Sequence, residues 1–122
     1  MSTIKIIRKA FRAQVASGDL TQNTGASIDL PSNGTTLSFY YLTWARFDDG
    51  TVARAERNRG VAVRTAGAAV LNYNGSAVQS GVAGFDSNSV AVSGTSVLFR
   101  YRGYAVNATE HGGEVVAIMR EP

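Results

Sequence analysis

Between Thr95 and Val106 the chain alternates, with Val97, Phe99 and Tyr101 on one side and Arg100 and Arg102 on the other. A period of two marks an extended strand with one covered face, because successive side chains leave a strand in opposite directions. Val90 and Val92 before it, and Val116 and Ile118 with flanking Glu114 and Arg120 near the C-terminus, repeat the signal and predict two further short strands. Turn chemistry punctuates the pattern, since Asn-Gly and Asp-Gly supply the positive φ angles that two-residue hairpins need. Pro31-Ser32-Asn33-Gly34 separates Ala26–Leu30 from Thr35–Phe47, Asp48-Asp49-Gly50 sends the chain back through Thr51–Ala55, and Asn74-Gly75 joins Ala69–Tyr73 to Ser76–Gln79. Each reads as a reversal between strands. The expectation is an all-β fold, an antiparallel β-sandwich or jelly roll of about seven to nine short strands.

Thr35–Phe47 departs from simple alternation. Leu37, Phe39 and Tyr41 face one way and Tyr40, Leu42 and Trp44 the other, so both faces are apolar. Such a strand is either covered on both sides or presents one face to another subunit, and in a chain this small the second option predicts self-association. The first sixteen residues read two ways. Ile4, Ile7, Phe11 and Val15 fit one face of a helix, whereas Phe11, Ala13 and Val15 alternate as a strand; in an otherwise β chain the expectation is a basic N-terminal arm or first strand over 1–16, ahead of a single β domain over 17–122. Four Gly-x-small-Val segments, at Gly60, Gly67, Gly75 and Gly94, have uneven spacing, which suits strands opening after glycine turns better than a repeat architecture.

Composition narrows the function more than the fold. The chain has 122 residues and no Cys, which removes disulfide frameworks, thiolate metal clusters and redox chemistry. Acid–base or nucleophilic work needs a poised proton acceptor beside a second reacting group. His111 is the single His and lies in Thr109-Glu110-His111-Gly112-Gly113, which reads as an exposed loop, and no Gly-x-Ser-x-Gly elbow is present. Asp48 and Asp49 are explained by a hairpin turn, since neighbouring residues of an extended chain point apart. Neither a dinucleotide fingerprint nor a phosphate-binding loop frames the glycines. The chain is therefore expected to be no enzyme and to need no cofactor and no metal.

The net charge of +3 is local. Lys5, Arg8, Lys9 and Arg12 carry it, while from Asp19 onward eight Arg face nine carboxylates. A whole-surface footprint for nucleic acid is absent. Arg100-Tyr101-Arg102-Gly103-Tyr104 interleaves cations and aromatics, which could hold phosphates and stack bases, but its simpler reading is an interface strand with Arg100 and Arg102 out. Ten Arg to two Lys points mildly to contacts between chains, where Arg is enriched. No apolar run reaches the roughly eighteen residues of a membrane span, and the start lacks the apolar segment of a secretory signal, so a cytoplasmically made chain is expected.

Small size, absent Cys, hairpins rich in Gly, Ser, Thr and Asn such as Asn74-Gly75, the two-faced Thr35–Phe47 run, and the ending Val115–Met119 followed by Arg120-Glu121-Pro122 give a resemblance. The chain resembles the small all-β virion proteins of tailed bacteriophages, among them capsid decoration (cement) proteins and compact tail or fibre domains. That resemblance implies a homo-oligomer, a trimer foremost, located in the virion and reinforcing a capsid shell or a tail by contact. On it, Leu37, Phe39, Tyr41, Trp44 and Phe47 would supply core and intersubunit packing, and Lys5, Arg8, Lys9 and Arg12 an arm lying on the scaffold. Two other classes stay open: a lectin-like module stacking sugars on Trp44, Tyr73 or Tyr104, and a single-stranded nucleic-acid binder using Arg100 and Arg102.

Overall fold

The computed structural model describes residues 3–14, 22–47, 52–74, 88–102 and 108–122; for 47, 52–57, 72–74, 88, 102, 108 and 109 it describes the backbone alone. Every regular element among the described residues is a strand. In chain order they are β1 (Thr3–Gln14), β2 (Gln22–Asp29), β3 (Thr36–Phe47), β4 (Val52–Thr65), β5 (Ala68–Asn74), β6 (Asn88–Ser93), β7 (Ser96–Arg102) and β8 (Ala108–Glu121). The fold is all-β, as the alternation predicts. Half of the strands are long, however, running 12 to 14 residues.

Two antiparallel sheets form, one of five strands in the order β1-β8-β3-β4-β5 and one of three in the order β2-β7-β6. β1 pairs with β8 over its whole length, from Thr3 opposite Glu121 to Gln14 opposite Glu110. Thr3–Gln14 is therefore a first strand, and over these residues neither the helix nor a detached arm is realised. β2 pairs with β7 inside that nesting, and β3, β4 and β5 continue as a meander. The turn at Ser32-Asn33-Gly34 forms, with Gly34 at φ 88°, but it carries the chain from the small sheet to the large one instead of closing a hairpin. Backbone bonds fix the crossing: Gly34 N–H donates to Arg64 O at 2.8 Å and Arg64 N–H to Thr35 O at 3.0 Å. True two-residue hairpins stand at Ala66-Gly67 (φ 48° and 82°) and at Gly94-Thr95 (Gly94 φ 57°), the glycines that open two of the Gly-x-small-Val segments. Gly60 instead lies within β4. Asp48-Asp49-Gly50 and residues 75–87 fall outside the described residues, although β3 and β4 on either side of the former do pair antiparallel.

The sheets pack face to face over one core. Leu37, Phe39, Tyr41, Ala62, Val115, Ala117 and Met119 of the large sheet meet Ile28, Leu30, Val90, Val97 and Phe99 of the small one. Phe99 sits edge-on to both Phe39 and Tyr41, with centroids 5.2 and 5.3 Å away, geometries that add to simple burial. Tyr41 brings its hydroxyl into this interior and donates it to Arg100 O at 2.8 Å, so the buried polar atom is satisfied across the sheets. On β8 the core takes Val115, Ala117 and Met119, and Val116 and Ile118, whose alternation announced the strand, point outward.

The reading of Thr109–Gly113 as an exposed loop is corrected. These residues belong to β8, and His111 is 1% exposed, its ring stacked 5.8 Å from that of Tyr101. Gly112 and Gly113 make the segment look like a loop, yet each lies under an aromatic side chain. A Cβ at Gly113 would run into the Phe11 ring, and one at Gly112 into the Trp44 ring. Glycine in a strand interior is disfavoured unless something must approach closely, and here two rings do.

Candidate interaction face

The register that buries one side of the large sheet also sets what its other side shows. Outward from β1 point Ile4, Ile6, Arg8, Ala10, Arg12 and Gln14. Opposite them β8 presents Arg120, Ile118, Val116, Glu114, Gly112 and Glu110, and β3 beyond presents Thr36, Ser38, Tyr40, Leu42, Trp44 and Arg46. Arg59, Val61 and Val63 of β4 and Val70 of β5 extend the same face. Ile4 (56%), Ile6 (71%), Ile118 (47%), Val61 (48%) and Val70 (52%) are all large apolar side chains left open to solvent here. The outer face of the small sheet contrasts with it, carrying Ser27, Asp29, Ser89, Ser93, Ser96 and Arg100 around Leu98. Five exposed aliphatics on one sheet face, grouped on either side of Ser38 and Thr36 of β3, are the kind of surface that marks an interaction site.

One end of the face is polar and tied together by side-chain contacts. Trp44 crosses from β3 onto Gly112 of β8, and the Arg12 guanidinium of β1 lies 5.4 Å from the indole centroid. Arg12 Nε is 2.9 Å from Glu110 Oε1, and Gln14 Nε2 donates to Glu110 Oε2 at 3.1 Å. A cation over an indole contributes on the order of 0.5–1 kcal/mol where solvent reaches it.

The residues singled out in the sequence part company. Leu37, Phe39 and Tyr41 are core of this chain, whereas Trp44 lies on the outer face; the Phe47 side chain lies outside the described residues. The four N-terminal cations do not share a face. Arg8 and Arg12 point outward, while Lys5 and Lys9 line the inner side of the β1 edge, where Lys5 pairs with Glu121 at 3.5 Å and Lys9 donates to Ser27 O at 2.7 Å. Inward-turned lysines on an edge strand discourage sheet-to-sheet pairing. Of the Arg100–Tyr104 constellation, Tyr101 is buried, stacked on Phe11 with centroids 5.0 Å apart, and so is not free to stack a base. Arg100 is half-buried on the polar sheet; the Arg102 side chain and Tyr104 lie outside the described residues. The aliphatic patch itself escaped sequence reading, although its members occupy alternate positions, because which side of β1, β4 and β8 is inward depends on partners far along the chain.

Among the described residues no group of three or more His, Cys, Asp or Glu could hold a metal ion, and no helix is long and apolar enough to cross a membrane. No protein-family model and no curated protein sequence matches the chain. Two solved structures are similar to it in part of their length. The Acinetobacter baumannii phage AM24 tailspike protein is similar over 98% of this chain with a TM-score of 0.56 at 16% identity. The Acinetobacter phage vB_ApiP_P1 tailspike protein is similar over 92% with a TM-score of 0.46 at 13% identity. This chain spans 26% of the first of those proteins and 21% of the second. The first likeness establishes the sandwich as a fold that occurs within a phage tailspike.

Proposed function

We propose that this chain is a non-catalytic structural domain of a bacteriophage tail, held in the particle by contact with other protein chains. The observation that carries the reading is the outer face of the large sheet, where Ile4, Ile6, Val61, Val70 and Ile118 stand exposed together. Burying one such side chain fully is worth about 1.5–3 kcal/mol, so covering several of them favours attachment to a partner. The fold likeness to part of a phage tailspike supports the setting. The test is immunogold labelling of purified particles of the phage that encodes the chain, with light scattering of the isolated protein for its mass. Gold at the tail supports the reading; labelling confined to the capsid, or none, overturns it.

A second reading, glycan binding, is favoured by Trp44 laid over Gly112 beside Arg12, Glu110 and Gln14, an aromatic platform ringed by polar groups. Glycan-array binding lost in Trp44→Ala would support it, and an array without signal would remove it.

A further inference from the structure

Resting on the reading of the outer face as a contact surface, we infer that its occupant is a different protein whose apolar surface is rimmed with aspartate and glutamate, rather than a second copy of this chain. The face approaches the right size. Four strands of a dozen or more residues and the shorter β5, about 4.8 Å apart and rising about 3.3 Å per residue, cover on the order of 600 Å², somewhat under the roughly 800 Å² per partner of a standard interface. Its charge decides the partner. In the aliphatic half, the rows that hold Ile4, Ile6, Val61, Val63, Val70, Val116 and Ile118, the charged side chains are Arg8, Arg59 and Arg120, all exposed. Among the described side chains the neighbouring row adds one carboxylate, Glu114, and Glu110 is engaged by Arg12 and Gln14 at the far end.

Two copies laid face to face would bring six such arginines together against two Glu114 carboxylates. A guanidinium removed from water without a counter-charge is strongly unfavourable, so self-pairing leaves most of them uncompensated. An acidic rim reverses the sign, because each arginine can grip a carboxylate with two parallel hydrogen bonds while the aliphatic centre closes. Aliphatic rather than aromatic side chains dominate this half, which also separates it from a glycan platform.

The test is selection of a displayed random-decapeptide library on the purified chain, run in parallel on the wild type and on the R8E/R59E/R120E variant. Wild type should enrich peptides that mix apolar residues with Asp and Glu, and the variant should enrich Lys and Arg instead. Single R59A should weaken the best wild-type peptide by about tenfold. Because the arginines are exposed, a circular dichroism spectrum unchanged from wild type is expected, and I6S, also on the exposed patch, gives an independent loss of binding. Enrichment without charge preference, or the same peptides on both proteins, overturns the inference. So does a dimer in sedimentation that I118S abolishes, or binding to phosphatidylglycerol vesicles that displaces the peptides. Tail labelling with neutral peptides would leave the tail reading standing and remove this one; acidic peptides without tail labelling would do the reverse.

Discussion

Phe11 is where the assignment of the first strand is most exposed to experiment. Its ring lies over Gly113 of β8 and Gly25 of β2, stacks on Tyr101 at 5.0 Å and approaches Tyr41 at 6.4 Å. Replacing a fully buried Phe by Ala costs about 3–5 kcal/mol, and because Phe11 is half-buried we expect about 2–3 kcal/mol for Phe11→Ala, the lost ring stacking included. A domain of this length has about 6–18 kcal/mol in total, so the protein should stay folded while its urea midpoint falls by about 1–2 M. Gly113→Ala should also destabilise, by about 1–3 kcal/mol, since the new Cβ meets the Phe11 ring and lies 3.2 Å from Leu42 O. In the Phe11→Ala background the ring is gone, and the same substitution should cost much less, because only the 3.2 Å approach to Leu42 O remains against the usual gain of Ala over Gly in a strand. The cycle measured by urea denaturation should therefore give a coupling of at least ~1 kcal/mol. An unchanged midpoint in Phe11→Ala, or strict additivity in the double variant, would refute the packing of β1 on the core and restore a detached arm.

Tyr41→Phe removes the hydroxyl that crosses between the sheets and leaves Arg100 O without that donor, so thermal unfolding should show a loss of about 1–2 kcal/mol; a Tm equal to wild type would mean that water replaces the bond. Gly67→Ala tests the β4–β5 hairpin: the site is open, with nothing within 4 Å of a new Cβ, so the expected loss of about 1 kcal/mol is pure backbone strain at φ 82°, and a stabilised variant in the same melt would contradict the turn geometry.

The sequence alone determined that this is a β protein and where several strands run. Val97, Phe99 and Tyr101 alternate with Arg100, and the structure buries them, because a period of two is enforced locally by the geometry of an extended chain. Turn glycines were legible for the same reason, since a positive φ at Gly34, Gly67 and Gly94 is a property of single residues. Partnership was not legible. Pro31–Gly34 has the chemistry of a reversal, but whether it closes a hairpin or crosses between sheets depends on β7 and β8, more than sixty residues away. Thr109–Gly113 reads as a loop because its two glycines lack side chains of their own; the rings that fill the space, Phe11 and Trp44, arrive from β1 and β3. The outer face depends on tertiary structure in the same way. Alternation announced that Val116 and Ile118 share a side, and only the closure of Val115, Ala117 and Met119 over the small sheet turned that side to the solvent, beside Ile6 and, across Ser38, in the row of Val61. Period is a property of one strand, whereas inside and outside belong to the whole set of strands that pack against it.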